Sequence, residues 1–218
     1  MEMDLGQVKT HVQSCFPLLD ALYEELAVLR KIIYKNTSQH RRAQYFQYLV
    51  HVKRLHRRLK KEEAVALLKS ILQVLDTLTV RDGMHHVSWK VLGECKATLD
   101  SILRQLQAVS IILTDAMVAE KKAFRALGTQ YAMTFFMPFC VVTTSLLGRL
   151  FTFNQTLLVR CVEAHHALTL AYLAQATLSN PLYASTVAAQ LAGYELSSSV
   201  LAHLELESVH SLQESSSI

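Results

Sequence analysis

YKNTSQHRRAQYFQYLVHVKRLHRRLKK, running from Tyr34 to Lys61, is the stretch on which the reading of the chain turns. Between Arg30 and Lys61 the sequence holds eleven Lys or Arg, half of the 22 in the chain, and no Asp or Glu. Placed on a helical wheel, Tyr45, Tyr48, Leu49, Val52, Leu55, His56 and Leu59 share one face. Arg42, Lys53, Arg54, Arg57, Arg58, Lys60 and Lys61 fall on the other side. The pattern predicts an amphipathic helix over about 39–60, with a core face and a cationic face. Solvated helix faces ordinarily mix Glu with Lys, because like charges four residues apart repel. An arc of one sign points instead to a polyanionic partner. Phe46 and Val50 lie within that arc. An aromatic among cations is suited to stacking on a base, and equally to a second packing contact.

Upstream, Cys15, Leu19, Leu22, Leu26, Leu29 and Ile33 recur at alternating spacings of four and three, the seam of a helix that packs on another helix. Asp4 with Gln7 suits the cap of a short leading helix. Pro17 fits the first turn of a longer one, with Ser14 as its cap. The polar run Lys35-Asn36-Thr37-Ser38 predicts a turn and a new cap before the basic helix.

Downstream, residues 62–80 form a strongly apolar helix opened by Glu62 and Glu63, as the helix dipole prefers. Arg81-Asp82-Gly83 breaks it, and Ser88 is placed to cap the next. There Leu92, Cys95, Leu99, Ile102, Leu106, Val109, Leu113 and Ala116 repeat the four-three spacing. The stretch Ala126–Gly148 has 23 residues without a charge. It is read either as a helix buried on all sides or as a span, which needs about 20 apolar residues. Asn180-Pro181 ends a helix and starts the last one.

With 218 residues, six Gly and three Pro, the chain can build one sizeable core from long helices with short connections. Residues 1–125 carry 20 of the 22 Lys and Arg, so the molecule has a basic half and an apolar half. Cys15, Cys95, Cys140 and Cys161 stand in apolar runs without a CxxC pair, and no secretory signal precedes them, so free buried thiols are expected. Cys161, His165 and His166, or His85 and His86 beside Cys95, fall short of the four ligands of a structural zinc site. No phosphate-binding glycine loop and no GxSxG occurs. The chain reads as non-enzymatic.

Several quoted elements carry a family resemblance. Tyr34-Lys35-Asn36, Gln39-His40-Arg41, Tyr45-Phe46, Leu49, Val52, Arg54-Leu55 and Arg58-Leu59 resemble the N-terminal domain of the nucleolus and neural progenitor protein (Nepro) family. That domain is shared with a small protein subunit of yeast RNase MRP, where an Asn-x-x-Gln-His-Arg element starts a basic helix. Val141 to Leu150, an apolar Thr-rich helix ending in Arg149-Leu150, is also similar, and the resemblance covers about 15–175, leaving 62–90 unmatched. It implies a nucleolar, all-helical, RNA-associated protein in or beside the RNase MRP particle, acting in ribosomal RNA maturation. Vertebrate relatives have been connected with Notch signalling and neural progenitor maintenance. Within the family the apolar helix is not a membrane anchor. Asn36 and Gln39 would fix the entry of the basic helix, and His40 and Arg41 would touch RNA, with a capping role alone as the equal alternative for Asn36 and His40.

The expectation is therefore an all-α bundle of six or seven helices, with a strongly apolar central helix at about 130–158. One domain would span 1–210, followed by a disordered Ser-rich tail at 211–218. The function expected is that of a non-catalytic RNA-binding subunit of a nucleolar ribonucleoprotein. Its partners would be structured RNA of the RNase MRP type and the particle's protein subunits, with no cofactor and no small-molecule substrate. The candidate contacts are Lys35, Asn36, Gln39, His40, Arg41, Arg42, Phe46, Lys53, Arg54, Arg57, Arg58, Lys60 and Lys61. Two rivals stand beside it. One is a membrane protein spanning at 126–148 with a basic surface helix; the other is a helical adaptor that uses the seams of 15–33 and 92–116.

Overall fold

The seam that opens the chain is buried throughout, with Cys15, Leu19, Leu22, Leu26, Leu29 and Ile33 each at most 6% exposed. In this computed structural model, which describes residues 5–79, 89–179 and 194–204, they lie on one long helix, α1, Leu5–His40. It is followed by α2 (Gln44–His56), α3 (Lys61–Thr79), α4 (Trp89–Ala132) and α5 (Met137–Ser179). A short helix, α6, covers 198–204, and no strand occurs among the described residues. The protein is an all-α bundle. Asp4, Arg81-Asp82-Gly83, His85-His86, Ser88, Asn180-Pro181, the tail at 211–218 and the side chains of Leu92 and Cys95 lie outside the described residues.

Two expected breaks in α1 do not occur. Pro17 stands inside the helix rather than at its start. A proline in a helix interior costs about 3 kcal/mol, whereas each fully buried Leu contributes about 1.5–3 kcal/mol. The seam on both sides of Pro17 therefore decides the matter. Ser14 bonds back to the His11 carbonyl (2.6 Å) instead of capping. The turn expected at 35–38 is absent for a related reason. Asn36 Nδ2 donates to the Ile32 carbonyl (2.8 Å) and Thr37 Oγ1 to that of Ile33 (2.5 Å). These side chains satisfy their hydrogen bonds within the helix, so they do not compete with it. The helix continues to His40.

The uncharged stretch 126–148 is not one helix. It contains the end of α4, the turn 133–136 and the start of α5. Thr134 (φ 60°) and Phe136 (φ 53°) both adopt the left-handed region, which no α-helix accommodates. Pro138, the second residue of α5, sits where its missing N–H costs little. The apolar helix expected at 130–158 is thus relocated. Among the described residues one helix, Ala97–Ala132 within α4, is long and apolar enough to cross a membrane by length and composition, and half of its apolar window is buried inside the fold.

By internal contacts the chain resolves into two compact units, one comprising Met1–Ser14, Val65–Ile111 and Val159–Ile218, the other Cys15–Ala64 and Ile112–Leu158. The first is built on Leu67, Ile71, Leu75, Leu99, Ile102, Leu103, Leu106 and Leu168, all buried. Lys9 pairs with Asp76 at 2.5 Å, and Arg160 Nη1 donates to Glu163 (2.9 Å) and to His11 Nδ1 (2.6 Å). In α4, Val109 is only half-buried, while Leu103, Ser110 and Met117 join the seam. A straight helix drifts about 20° per heptad from a strict four-three repeat, which moves the buried line onto these neighbours. The second unit holds the basic stretch. Cys15, Cys140 and Cys161 are buried.

Candidate nucleic-acid interface

The cationic stretch wraps a buried aromatic corner of the second unit. At the end of α1, His40 is 3% exposed, and its Nδ1 meets the Tyr45 hydroxyl at 2.6 Å. Its ring stacks on Phe139 (4.9 Å, 22°) and receives Phe136 edge-on (4.6 Å, 86°). Phe46, at 1% exposure, lies 6.1 Å from the same imidazole. Neither His40 nor Phe46 presents a ring to solvent, so the stacking and contact roles expected for them are corrected to core roles. Phe46 falls among cations on an ideal wheel. The helix, however, starts at Gln44 rather than near 39, and the aromatic corner receives both Tyr45 and Phe46.

The turn between α1 and α2 is Arg41-Arg42-Ala43. The Ala43 amide donates to the His40 carbonyl at 2.9 Å, and Gln47 Nε2 bonds the Arg41 carbonyl. Arg41 and Arg42 thereby stand exposed on a fixed turn. Lys35 and Gln39 are exposed on α1, and Asn36 is half-buried with its amide tied to Ile32. Along α2, Arg54 is exposed and Lys53 half-buried, with Arg57 and Arg58 exposed at its end. Cations there oppose the negative end of the helix dipole.

Carboxylates stand against three of these cations, two of them brought by tertiary structure and one, Glu63, from three residues along the chain. Arg58 lies 3.5 Å from Asp115, Lys60 2.6 Å from Glu63 and Lys61 2.7 Å from Asp20. Such exposed pairs are worth about 0–1 kcal/mol, so a phosphate can compete for them. Arg41, Arg42, Lys53, Arg54 and Arg57 have no ion-pair partner among the described residues.

Beside this surface lies a cavity of about 520 Å³. Arg30, Lys53, Arg57, Lys60 and Lys61 line it, with Glu62 as its one carboxylate. Leu26, Leu59 and the ring of Tyr23 give it apolar surface. Tyr23 donates from its hydroxyl to the Leu59 carbonyl (2.6 Å), and burial, aided by Glu62, pushes its pKa up to about 12. The phenol therefore stays neutral. Arg30 opens the basic block but, like Tyr23, is not among the candidate contacts, because both belong to α1 and not to the basic helix.

His56 also lines this cavity and belongs to a buried network that sequence reasoning missed. Its Nε2 lies 2.8 Å from Glu120 Oε1, which also accepts from Asn154 Nδ2 at 2.8 Å. All three residues are at most 4% exposed. Burial raises the Glu120 pKa, and hydrogen bonds from His56 and Asn154 oppose the rise. The three residues are 34 and 64 positions apart, and no local pattern signals their meeting. Cys161 and His165 are both buried and His166 is exposed. Among the described residues no three His, Cys, Asp or Glu form a group able to hold a metal ion.

Burial also lowers the pKa of His40 and of His165. A histidine held below its unfolded pKa of about 6.5 adds stability that is complete above that pH and declines as pH falls through the folded value. The urea midpoint is therefore expected to be level between pH 8 and 7 and to drop by pH 5.5, with a shallower drop in His40→Gln. A midpoint flat to pH 5.5 would count against neutral burial of these rings.

The fold and site define an all-α protein that carries a partly paired cationic surface, a buried aromatic cluster at the start of α2 and a basic cleft at its end. The chain belongs to the family described as nucleolus and neural progenitor protein, N-terminal, whose family model matches residues 4–169. The match takes in 62–90, which the quoted motifs had not reached. Searches of curated proteins and of solved structures returned no match.

Proposed function

We propose that this chain is a non-catalytic RNA-binding subunit of a nucleolar ribonucleoprotein of the RNase MRP type, acting in ribosomal RNA maturation. The observation that carries the reading is the set of Arg41, Arg42, Lys53, Arg54 and Arg57, which flank the two ends of α2 without ion-pair partners among the described residues. A phosphate backbone supplies the missing counter-charge. The family's description supports the nucleolar placement. Contacts from five to seven cations predict that log affinity for single-stranded RNA falls with log salt at a slope of about −3.5 to −5. A slope near zero would remove phosphate contact as the mechanism. Replacing Arg54, Arg57 and Arg58 together by Ala should weaken all RNAs alike and leave helical content intact.

A second reading, a helical adaptor, is favoured by a different surface from the one expected. The seams of 15–33 and 92–116 are buried within this fold wherever their side chains are described, Val109 apart. Exposed apolar residues instead cluster at Tyr131, Met133, Phe135, Val141 and Val142. Nuclease treatment before co-purification separates the readings, since protein-mediated association survives it. The membrane reading rested on one span at 126–148, which the turn at 133–136 divides.

A further inference from the structure

The basic cleft differs in kind from the exposed cations of the α1–α2 turn. It is concave, and its volume of about 520 Å³ falls within the roughly 300–1,000 Å³ usual for small-ligand sites. Its charge is unevenly spent. Lys60 and Lys61 are held by Glu63 and Asp20. Arg30, Lys53 and Arg57 have no ion-pair partner among the described residues, and Arg30 Nε is committed to the Leu26 carbonyl at 3.2 Å. Three such cations against Glu62 leave the cleft with a net charge of about +2, which matches the −1.5 to −2 of a phosphate monoester near neutral pH better than the single charge of a diester. Concave, one-signed clefts concentrate their field. Leu26 and Leu59, each 6% exposed, contribute apolar wall, and the neutral hydroxyl of Tyr23 lies among them. Of the lining residues only His56 keeps a buried side-chain atom, Nδ1, without a hydrogen-bond partner. Apolar wall and cations together suit a nucleotide rather than a bare anion.

We propose that the cleft formed by Tyr23, Arg30, Lys53, His56 and Arg57 binds a nucleotide bearing a terminal phosphate monoester, with the phosphate on the cations and the sugar or base against Leu26 and Leu59. This rests on the reading of the chain as an RNA binder insofar as the nucleotide is a strand end, and stands apart from it if the ligand is a free mononucleotide.

The test uses the full chain and a ten-nucleotide single-stranded RNA prepared with a 5′-phosphate, a 3′-phosphate or hydroxyls at both ends, with fluorescence anisotropy as readout. One phosphorylated end should bind on the order of tenfold tighter than the unphosphorylated strand, the worth of about one charge-assisted hydrogen-bond set. Adenosine monophosphate should compete that advantage away, and Arg30→Gln with Lys53→Gln should abolish it while leaving circular dichroism unchanged. Arg41→Gln with Arg42→Gln should weaken all three strands equally and keep the preference. Adenosine monophosphate binding that needs Arg30, without any end preference, assigns the site to a free nucleotide. Equal affinity for all strands together with no binding of adenosine monophosphate overturns the proposal while leaving RNA binding standing. Loss of RNA binding altogether, with nucleotide binding retained, overturns the function proposed above and spares the cleft.

Discussion

Replacing His56 by Ala is expected to lower stability by about 1–3 kcal/mol at pH 7.5, the usual cost of leaving a buried polar group without its hydrogen-bond partner. Glu120 is 1% exposed, and without the imidazole it keeps only the Asn154 amide at 2.8 Å. Its pKa is already raised by burial, and losing the His56 hydrogen bond removes an opposing influence. A carboxyl whose folded pKa lies above its unfolded value of about 4.3 is no burden below that pH and becomes one as pH rises through the folded value. The loss attributable to Glu120 should therefore be larger at pH 7.5 than at pH 5. Adding Glu120→Gln should recover part of it at pH 7.5, because a buried carboxamide needs no counter-charge. Urea unfolding of the wild type, both singles and the double variant measures all of this. If His56→Ala and the double variant were equally unstable at pH 7.5, the lost side-chain volume and not the stranded carboxyl would be the cause.

Phe46→Ala is expected to cost about 3–5 kcal/mol, the range for truncating a fully buried Phe. Arg54→Ala, two turns along the same helix and exposed, should stay within about 0.5 kcal/mol. The contrast decides between two readings of one residue. If Phe46 stacked on RNA bases, its removal would weaken binding and leave the unfolding midpoint in place. If it packs under His40, as the 6.1 Å ring separation shows, the midpoint falls sharply. Phe46→Leu should then restore most of the stability and leave RNA affinity near wild type. Binding that stayed low in Phe46→Leu at full stability would return the residue to the interface.

Much of the fold was legible because it follows from spacing. The four-three seam of α1 and the opening of α3 by Glu62 and Glu63 stand where the pattern put them. Helix boundaries were less legible, and for identifiable reasons. Asn36, Thr37 and Ser14 are residues that cap in one context and bond back to a helix carbonyl in another, and sequence does not state which. Pro17 reads as a helix start until the burial on both sides of it is known. Lack of charge over 126–148 is a statement about composition, and two left-handed residues inside it overrule the single helix it suggests.

What the sequence by itself determined is the all-helical class, the buried seams and the concentration of eleven cations between Arg30 and Lys61. Those are properties of neighbours along a chain, and periodicity and charge count report them directly. Only the tertiary structure decided which cations keep their charge unmatched. Asp20 and Asp115 reach two of them from elsewhere in the sequence, and Arg30 comes from the preceding helix to line a cleft with Lys53 and Arg57. It alone also joined His56, Glu120 and Asn154. The physical reason is common to both cases. Coulomb and hydrogen-bond energies depend on distance in space, and packing, which no local pattern encodes, sets those distances.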